Sequence, residues 1–285
     1  MVPSASDFLH TSQNADGGWG YLPGQASAVE PTSAAIMGLR DEPKGQSAVE
    51  GALSWLSAAQ NGDGGWGVAR GAVSGWQTGW AILALAAAQG TGDAVTRGTN
   101  WLLKVKPAEA QRDDMQKLEA TLAIDFTLRG WPWLPGEATW IEPTCLAVLA
   151  LCAVTRTNES DARVAEAVRY LKDRRCRPGG WNVGNPVMFS QSLPPRTHPT
   201  ALAVLALSRA APEQLLPEDL SALRADMRSD GGALALASGL LALRERGEED
   251  PSAAGRLAEL QQADGSWNSN VYHTAFALIL ERGGI

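Results

Sequence analysis

Two glutamates and one histidine share a sequence context that could support acid–base chemistry. Glu30 and Glu142 are each followed by Pro-Thr and an apolar run, and His198 is followed by the same Pro-Thr. A carboxyl group and an imidazole held close together can donate and accept protons in turn. Proline is favoured at the first position of a helix. We therefore predict that these three residues are helix N-caps and that they are the catalytic residues.

The three motifs belong to an internal repeat. Each copy has a glycine-rich turn that ends in tryptophan, then a loop, then an alanine- and leucine-rich segment. The turns read NADGGWG at 14–20, NGDGGWG at 61–67, RPGGWN at 177–182 and QADGSWN at 262–268. A fifth copy carries the altered turn GWPWLPG, and a sixth has Ala233 where tryptophan would stand. A repeat of this kind sets the architecture, because each copy forms one structural unit.

The tryptophans of these turns are predicted to be structural. Paired glycines permit the positive φ angles of a tight connection. An indole ring can cover the end of the preceding helix while its N–H binds a carbonyl. The prediction applies to Trp19, Trp66, Trp181 and Trp267.

Apolar periodicity predicts twelve helices in six pairs. The first helix of each pair is amphipathic, and the second is apolar on every side, which is typical of a helix buried all round. We therefore predict an all-α fold with an inner and an outer ring, as a single domain over 1–285 with an insertion at about 107–130. The predicted outer helices are 4–13, 45–60, 93–105, 161–173, 217–227 and 252–262. The predicted inner helices are 31–40, 78–89, 143–154, 199–210, 234–246 and 273–281.

Composition narrows the classes of function. The formal net charge of −7 and the pI near 5.1 disfavour nucleic acid as a partner. No apolar run is long enough for a transmembrane helix, and the start of the chain lacks the pattern of a signal peptide. Three cysteines, Cys145, Cys152 and Cys176, do not form a disulfide framework. These observations predict a cytoplasmic protein, and they leave its oligomeric state open.

The repeat also resembles that of a known family. Residues 8–19 (FLHTSQNADGGW) and 55–66 (WLSAAQNGDGGW) share an aromatic-Leu pair, a glutamine and a Gly-Gly-Trp. This pattern is similar to the QW repeat of squalene–hopene cyclases and other class II terpene cyclases, which the β subunits of protein prenyltransferases share. The resemblance implies an α/α toroid of six inner and six outer helices. It also implies an isoprenoid or similar apolar substrate in a central cavity.

The acid motif of those cyclases, D-x-D-D-T-A, is absent from this chain. The best matches are IEPT at 141–144 and VEPT at 29–32, each with one glutamate in place of the acid. A lone glutamate needs burial and a hydrogen-bonding partner to act as the acid, and His198 could be the partner of Glu142. Cation chemistry also needs aromatic faces. The candidate substrate-binding residues are Trp76, Gln77, Trp80, Trp140, Phe189, Tyr272, His273 and Phe276.

Two other functions stay open at this point. The missing acid motif favours a non-catalytic toroid that holds a lipid or a peptide. The segment VYHTAFALIL resembles the part of prenyltransferase β subunits that supplies a zinc-binding histidine, which would be His273. No Asp-x-Cys pair accompanies it at another inner helix, and zinc needs three protein ligands. We therefore predict no metal and no cofactor.

Overall fold

The computed structural model describes residues 3–108, 124–154 and 157–284. Within these ranges the chain forms twelve α-helices in alternating outer and inner positions. The outer helices are α1 (Ala5–Ser12), α3 (Gln46–Ala58), α5 (Asp93–Lys104), α7 (Asn158–Asp173), α9 (Pro217–Ser229) and α11 (Pro251–Glu259). The inner helices are α2 (Val29–Leu39), α4 (Gln77–Gln89), α6 (Ile141–Ala153), α8 (Thr197–Ala210), α10 (Ala233–Glu245) and α12 (Val271–Arg282). The core of the predicted insertion, 109–123, lies outside the described residues.

The inner helices form a closed ring. Each of α2, α4, α6, α8 and α10 packs against the next inner helix, and α12 packs back against α2. The outer helices lie against neighbouring inner helices, and α1 closes the outer layer by packing on α12. A backbone hydrogen bond from Val271 N to Tyr21 O joins the last repeat to the first. The predicted α/α toroid is confirmed.

Burial explains the difference between the two layers. Nearly every residue of the inner helices is shielded from water, including small residues such as Ala34, Ala147 and Ala203. Small side chains at these positions allow the inner helices to approach one another closely. The outer helices bury only one stripe, as amphipathic helices do.

A repeated clamp fixes each tryptophan turn between two helices. The indole N–H of Trp19 donates to Leu9 O, that of Trp66 to Leu56 O and that of Trp181 to Leu171 O. These bonds satisfy carbonyls at the end of the preceding outer helix, as predicted. The same bond is made by Trp131 in the altered fifth turn and by Trp267 in the last one.

The second half of the clamp is a threonine of the following inner helix. Its hydroxyl accepts a hydrogen bond from the backbone N–H of the tryptophan, as Thr32 does for Trp19 at 2.9 Å. Thr78, Thr144, Thr200 and Thr274 do the same for the other four turns. In α10 the equivalent residue is Leu236, and this repeat also lacks the tryptophan. The two residues are thus present together or absent together.

The glutamine and aspartate of the turn connect neighbouring outer helices. Gln13 Nε2 donates to Gly17 O within its own turn and to Ala48 O of α3. Asp16 accepts from the backbone N–H of Gly18 and from the indole N–H of Trp55 on α3. These bonds give the QW pattern a structural explanation: it ties α1 to α3 and, through the equivalent Gln60 and Asp63, α3 to α5.

The predicted N-cap positions are wrong by two residues. The caps are Ala28, Trp140 and Arg196, so Glu30, Glu142 and His198 are each the second residue of their helix. The proline is therefore the third residue, not the first. This is tolerated because the first four N–H groups of a helix have no intrahelical acceptor, so a missing one costs nothing at the third position as well.

Two short hairpins interrupt the helical pattern. Strands β1 (Trp131–Pro132) and β2 (Thr139–Trp140) pair antiparallel just before α6. Strands β3 (Val187–Met188) and β4 (Gln191–Ser192) pair antiparallel in the loop before α8. Both hairpins lie on connections that lead into the N-terminal ends of inner helices.

Candidate active site

Four inner helices bring a polar side chain to the same end of the ring. Glu30, Glu142, His198 and Tyr272 are the second residues of α2, α6, α8 and α12. His198 Nε2 lies 3.6 Å from Glu142 Oε1, and the charges of both act on Glu30. The inner helices therefore begin at one rim, and the three predicted catalytic residues lie around it.

Glu30 is the most deeply buried acid of this group, with 6% of its surface exposed. The hydroxyl of Tyr21 donates a hydrogen bond to its Oε2. Burial raises the pKa of Glu30 to about 7, and the nearby Glu142 raises it too, against the opposing effect of Tyr21. Glu30 can therefore exist as a neutral carboxylic acid near pH 7 and can act as a proton donor.

Glu142 and His198 form a second pair of ionisable side chains at this rim. Their side chains are 18% and 17% exposed, respectively, so both are in limited contact with water. Nε2 of His198 faces the carboxylate, and Nδ1 is buried without a hydrogen-bond partner among the described residues. Nε2 is therefore engaged with the carboxylate, and Nδ1 is the ring nitrogen left for a bound molecule.

Aromatic rings form a wall next to these acids. Tyr272 and Phe276 lie edge to face with centroids 4.9 Å apart, and Trp80 contacts them at 5.9 and 5.7 Å. The imidazole of His198 meets Phe276 at 5.9 Å, and Tyr21 meets Tyr272 at 6.3 Å. The wall thus extends from Tyr21, the partner of Glu30, to His198, the partner of Glu142. Ring faces of this kind can stabilise a positive charge.

Buried polar atoms without partners gather in the first turns of the inner helices. Within the described residues, four such atoms are Ser33 Oγ, Gln77 Oε1, Trp80 Nε1 and His198 Nδ1. A buried polar atom without a hydrogen bond costs about 1–3 kcal/mol. Such atoms call for partners from a ligand or ordered water, and their grouping at one end of the ring is typical of a binding site.

Other predicted residues lie at the same rim but outside the aromatic wall. Trp76 packs edge to face on Trp133, with centroids 4.8 Å apart. The ring of Trp140 lies against Gly184. Gln77 is buried at the start of α4.

His273 is turned toward the preceding loop, where Asn268 Nδ2 lies 3.2 Å from its Nδ1. Burial lowers its pKa, and His198 adds to this effect. Within the described residues, no three His, Cys, Asp or Glu side chains are arranged to hold a metal ion.

Phe189 is not brought to the wall. It is 91% exposed on the turn between β3 and β4, where its φ is +49°. The hairpin directs residues 188–190 outward, so the ring of Phe189 contacts none of the other predicted substrate-binding residues. Sequence spacing did not indicate this, because the loop before α8 is longer than in the other repeats.

Two residues of the site were missed at the level of sequence. Tyr21 stands two residues after the first tryptophan, in a loop that the repeat pattern does not reach. Ser33 lies one turn after Glu30 on α2, among alanines. Tyr21 is one of only three tyrosines in the chain. This rarity was the one feature of the sequence that could have marked it as a site residue.

Two kinds of comparison with known proteins, a family model and solved structures, support this architecture. Residues 5–134 match the family model of the squalene-hopene cyclase C-terminal domain. Over the whole fold, the chain superposes on a type II terpene cyclase from Scytonema in complex with merosterolic acid A, its product. The TM-score is 0.64 at 18% identity, over 97% of this chain and 93% of that one. Part of the chain is therefore similar to that family, and the chain as a whole has the fold of a type II terpene cyclase.

Two further comparisons show the range of this fold. The same Scytonema enzyme in complex with the substrate geranylgeranyl dihydroxybenzoate gives a TM-score of 0.64 at 17% identity, over 97% of this chain and 94% of that one. The chain also matches part of Salmonella alpha-2-macroglobulin with a TM-score of 0.51 at 12% identity, over 99% of this chain and 17% of that one. No curated protein sequence matches the chain.

The likeness to the solved structures establishes the fold alone, because all identities are below 20%. The function of this protein must therefore be argued from its site. In the described part of the chain, no helix is both long and apolar enough to cross a membrane.

Proposed function

We propose that this protein is an enzyme that rearranges an isoprenoid or similar apolar substrate by acid–base chemistry. The observation that supports the proposal most directly is the buried Glu30, whose pKa is raised to about 7, next to a wall of aromatic rings. In this proposal the whole toroid, residues 1–285, acts as one catalytic domain in the cytoplasm.

Glu30 is the proton donor in this mechanism. Tyr21 positions its carboxyl group through the hydrogen bond to Oε2. The neutral acid transfers its proton to an oxygen or a double bond of the substrate, and a cation forms on the adjacent carbon. A pKa near 7 makes Glu30 a weak acid for an isolated alkene, so an epoxide oxygen is the better acceptor: its protonation opens the C–O bond.

The aromatic wall and the second acid complete the cycle. Trp80, Tyr272 and Phe276 stabilise the cation while a double bond of the substrate attacks it and closes a ring. The Glu142–His198 pair then removes one proton from the cyclised cation, which restores a double bond. One proton enters and one leaves, so the overall reaction is an isomerisation and needs no cofactor.

The test is turnover of defined isoprenoids. Purified protein is incubated with linear terpenes, their terminal epoxides and geranylgeranyl esters of aromatic acids, and products are identified by gas chromatography–mass spectrometry. We expect an epoxide to be consumed, with Glu30→Gln reducing kcat at least 100-fold. Glu50→Gln, at an exposed position of α3, is the matched control. Full activity of Glu30→Gln on a substrate that the protein converts would contradict the assignment.

A non-catalytic toroid that holds an apolar ligand is the second candidate. The absence of the D-x-D-D motif favours it. Native mass spectrometry distinguishes the two candidates. A copurifying apolar ligand that is retained unchanged, in a protein that converts none of the isoprenoids, would favour binding over catalysis.

A protein prenyltransferase β subunit is the third candidate. It rests on the match of His273 to the zinc-binding histidine of that family. Elemental analysis of the purified protein tests it, because stoichiometric zinc would support this function.

A further inference from the structure

Four inner helices begin under a backbone clasp. A backbone N–H at the start of α2, α4, α6 and α12 donates to a carbonyl in the connection that leads to the next inner helix around the ring. The acceptors are Val68 O for α2, Trp133 O for α4, Val183 O for α6 and Tyr21 O for α12, at 2.8 to 3.3 Å. A neighbouring connection thus lies across the start of each of these four helices.

The other two inner helices, α8 and α10, begin without this clasp. The backbone N–H and the hydroxyl of Thr197, the first residue of α8, both donate to Asp226 Oδ2, at 2.6 and 2.8 Å. Asp226 belongs to α9, so a side chain of an outer helix takes the place of the carbonyl. Within the described residues, no carbonyl of a connection accepts from the first N–H of α8 or of α10.

The lengths of the connections explain this difference. The connections that form the clasps have nine to fifteen residues between the tryptophan turn and the next inner helix, namely 20–28, 67–76, 132–140 and 182–196. The connections beside α8 and α10 are 230–232 and 268–270, with three residues each. Three residues span about 10 Å at most, and they must join an outer helix to its own inner helix. They cannot also reach the neighbouring inner helix, whose axis lies about 8–10 Å away.

Solvent exposure follows the same division of the rim. Glu30 and Tyr272, on clasped helices, expose 6% and 5% of their surfaces. The side chain of His198, on α8, is 17% exposed, and Leu234 of α10 is half-buried. Leu234 is the second residue of its helix, which is the position that Glu30 and His198 occupy in theirs. An apolar molecule that crosses the rim at α10 therefore meets a hydrocarbon side chain rather than a carboxylate.

An ion pair bridges this unclasped part of the rim. Arg196, the N-cap of α8, has its Nη2 3.6 Å from Oδ2 of Asp230, which lies in the connection to α10. Its Nη1 lies 3.6 Å from Asp226 Oδ1. The side chain of Arg196 is 53% exposed, and exposed ion pairs are weak. The bridge to Asp230 can open by side-chain rotation alone, whereas a backbone clasp opens only if a whole connection moves.

We propose that the substrate enters and leaves the candidate active site between α8 and α10. In this route the Arg196–Asp230 pair separates, and the apolar chain passes over Leu234 to reach the side of the site that contains His198. The route rests on the proposed function in one respect, because it takes an isoprenoid as the molecule that occupies the site. It assigns to Leu234 a role in specificity, since the size of this side chain limits how fast a bulky chain can pass.

Stopped-flow fluorescence of the full chain with retinol, an uncharged fluorescent isoprenoid alcohol, tests this route. Energy transfer from tryptophan reports binding and release. A residue that only obstructs the route changes the association and dissociation rate constants by the same factor and leaves Kd unchanged. Leu234→Trp should slow both rate constants at least fivefold, and Arg196→Met should speed both at least threefold. Kd should stay within twofold of the wild type in each variant.

Salt provides a second measurement on the same proteins. Salt screens interactions between exposed charges, so a higher salt concentration should weaken the Arg196–Asp230 pair. It should therefore speed retinol binding to the wild type toward the rate of Arg196→Met. The rate of Arg196→Met itself should stay unchanged, because this variant has no ion pair to screen.

Two exposed residues of a clasping connection provide matched controls. Val73→Trp and Arg70→Met lie in the connection before α4 and should leave both rate constants unchanged. Wild-type rate constants in Leu234→Trp, equal slowing in Val73→Trp, or no binding of retinol would overturn the route. Absence of turnover together with the expected retinol kinetics would count against catalysis but support the route. Turnover with wild-type kcat/KM in both Leu234→Trp and Arg196→Met would count against the route alone.

Discussion

The hydroxyl of Tyr21 donates a hydrogen bond to Glu30, and this bond lies at the junction between the first and last repeats. Tyr21 also accepts a backbone hydrogen bond from Val271, at the start of α12. The partner of the buried acid is thus held by the contact that closes the ring. Closure of the toroid and the state of the candidate acid are coupled through a single residue.

Glu30→Gln should change how stability depends on pH. The pKa of Glu30 rises from about 4.5 to about 7 on folding, so the folded chain holds the proton more tightly than the unfolded chain. The resulting stabilisation is complete below pH 4.5 and is lost as pH rises through 7. Because the glutamine side chain stays neutral at every pH, the variant should gain up to about 3 kcal/mol relative to the wild type above pH 8.

Urea unfolding between pH 4 and pH 9 measures this difference. The two curves should converge near pH 4 and separate steadily above pH 5. Glu50→Gln, on α3, should follow the wild type throughout. Parallel curves for Glu30→Gln and wild type would show that Glu30 is ionised in the folded protein.

Tyr21→Phe should raise the pKa of Glu30 still further. The hydrogen bond from Tyr21 favours the charged carboxylate, and phenylalanine keeps the ring but removes the donor. Carbon-13 NMR of labelled glutamate carboxyl groups can follow the titration, with Glu30→Gln used to assign the resonance. An unchanged or lower midpoint in Tyr21→Phe would refute the positioning role of Tyr21.

Thr144→Val should test the clamp between tryptophan turns and inner helices. Valine has nearly the same shape but leaves the buried backbone N–H of Trp131 without its acceptor. We expect a loss of about 1–3 kcal/mol in the free energy of unfolding. Thr96→Val, at an exposed position of α5, is the control and should cost less than about 0.5 kcal/mol. Equal effects at the two sites would contradict a structural role for the clamp.

Gly17→Ala and Gly24→Ala should separate backbone strain from steric clash. Both glycines have positive φ, at +91° and +79°. A Cβ at Gly17 would lie 2.6 Å from Gly51 O, whereas a Cβ at Gly24 would meet nothing within 4 Å. Gly24→Ala should cost about 1–2 kcal/mol from the backbone conformation alone. Gly17→Ala should cost clearly more, which differential scanning calorimetry can measure, and similar melting temperatures would rule out the clash.

Periodic features of the chain predicted the architecture well. The apolar segments of the inner helices and the glycine–tryptophan turns recur often enough to show six units, and the predicted indole-to-carbonyl bonds are confirmed. The threonine of the clamp also recurs, as part of Pro-Thr in three repeats. The sequence alone does not indicate that its hydroxyl accepts a hydrogen bond from the backbone N–H of the tryptophan. The starts of α2, α6 and α8 were predicted two residues too late, because proline is tolerated at several positions of the first turn.

Local sequence was thus sufficient to predict the ring of helices and the structural role of the tryptophans. It was also sufficient to predict that Glu30, Glu142 and His198 lie at the same rim. These features depend on the spacing of apolar segments and turns, and this spacing recurs in each repeat of the chain. Only the tertiary structure decided which acid is buried, that Tyr21 is its partner and that Phe189 points away. Burial and pairing arise between residues from different repeats, and the free energy of a buried carboxyl group depends on those neighbours rather than on its own segment.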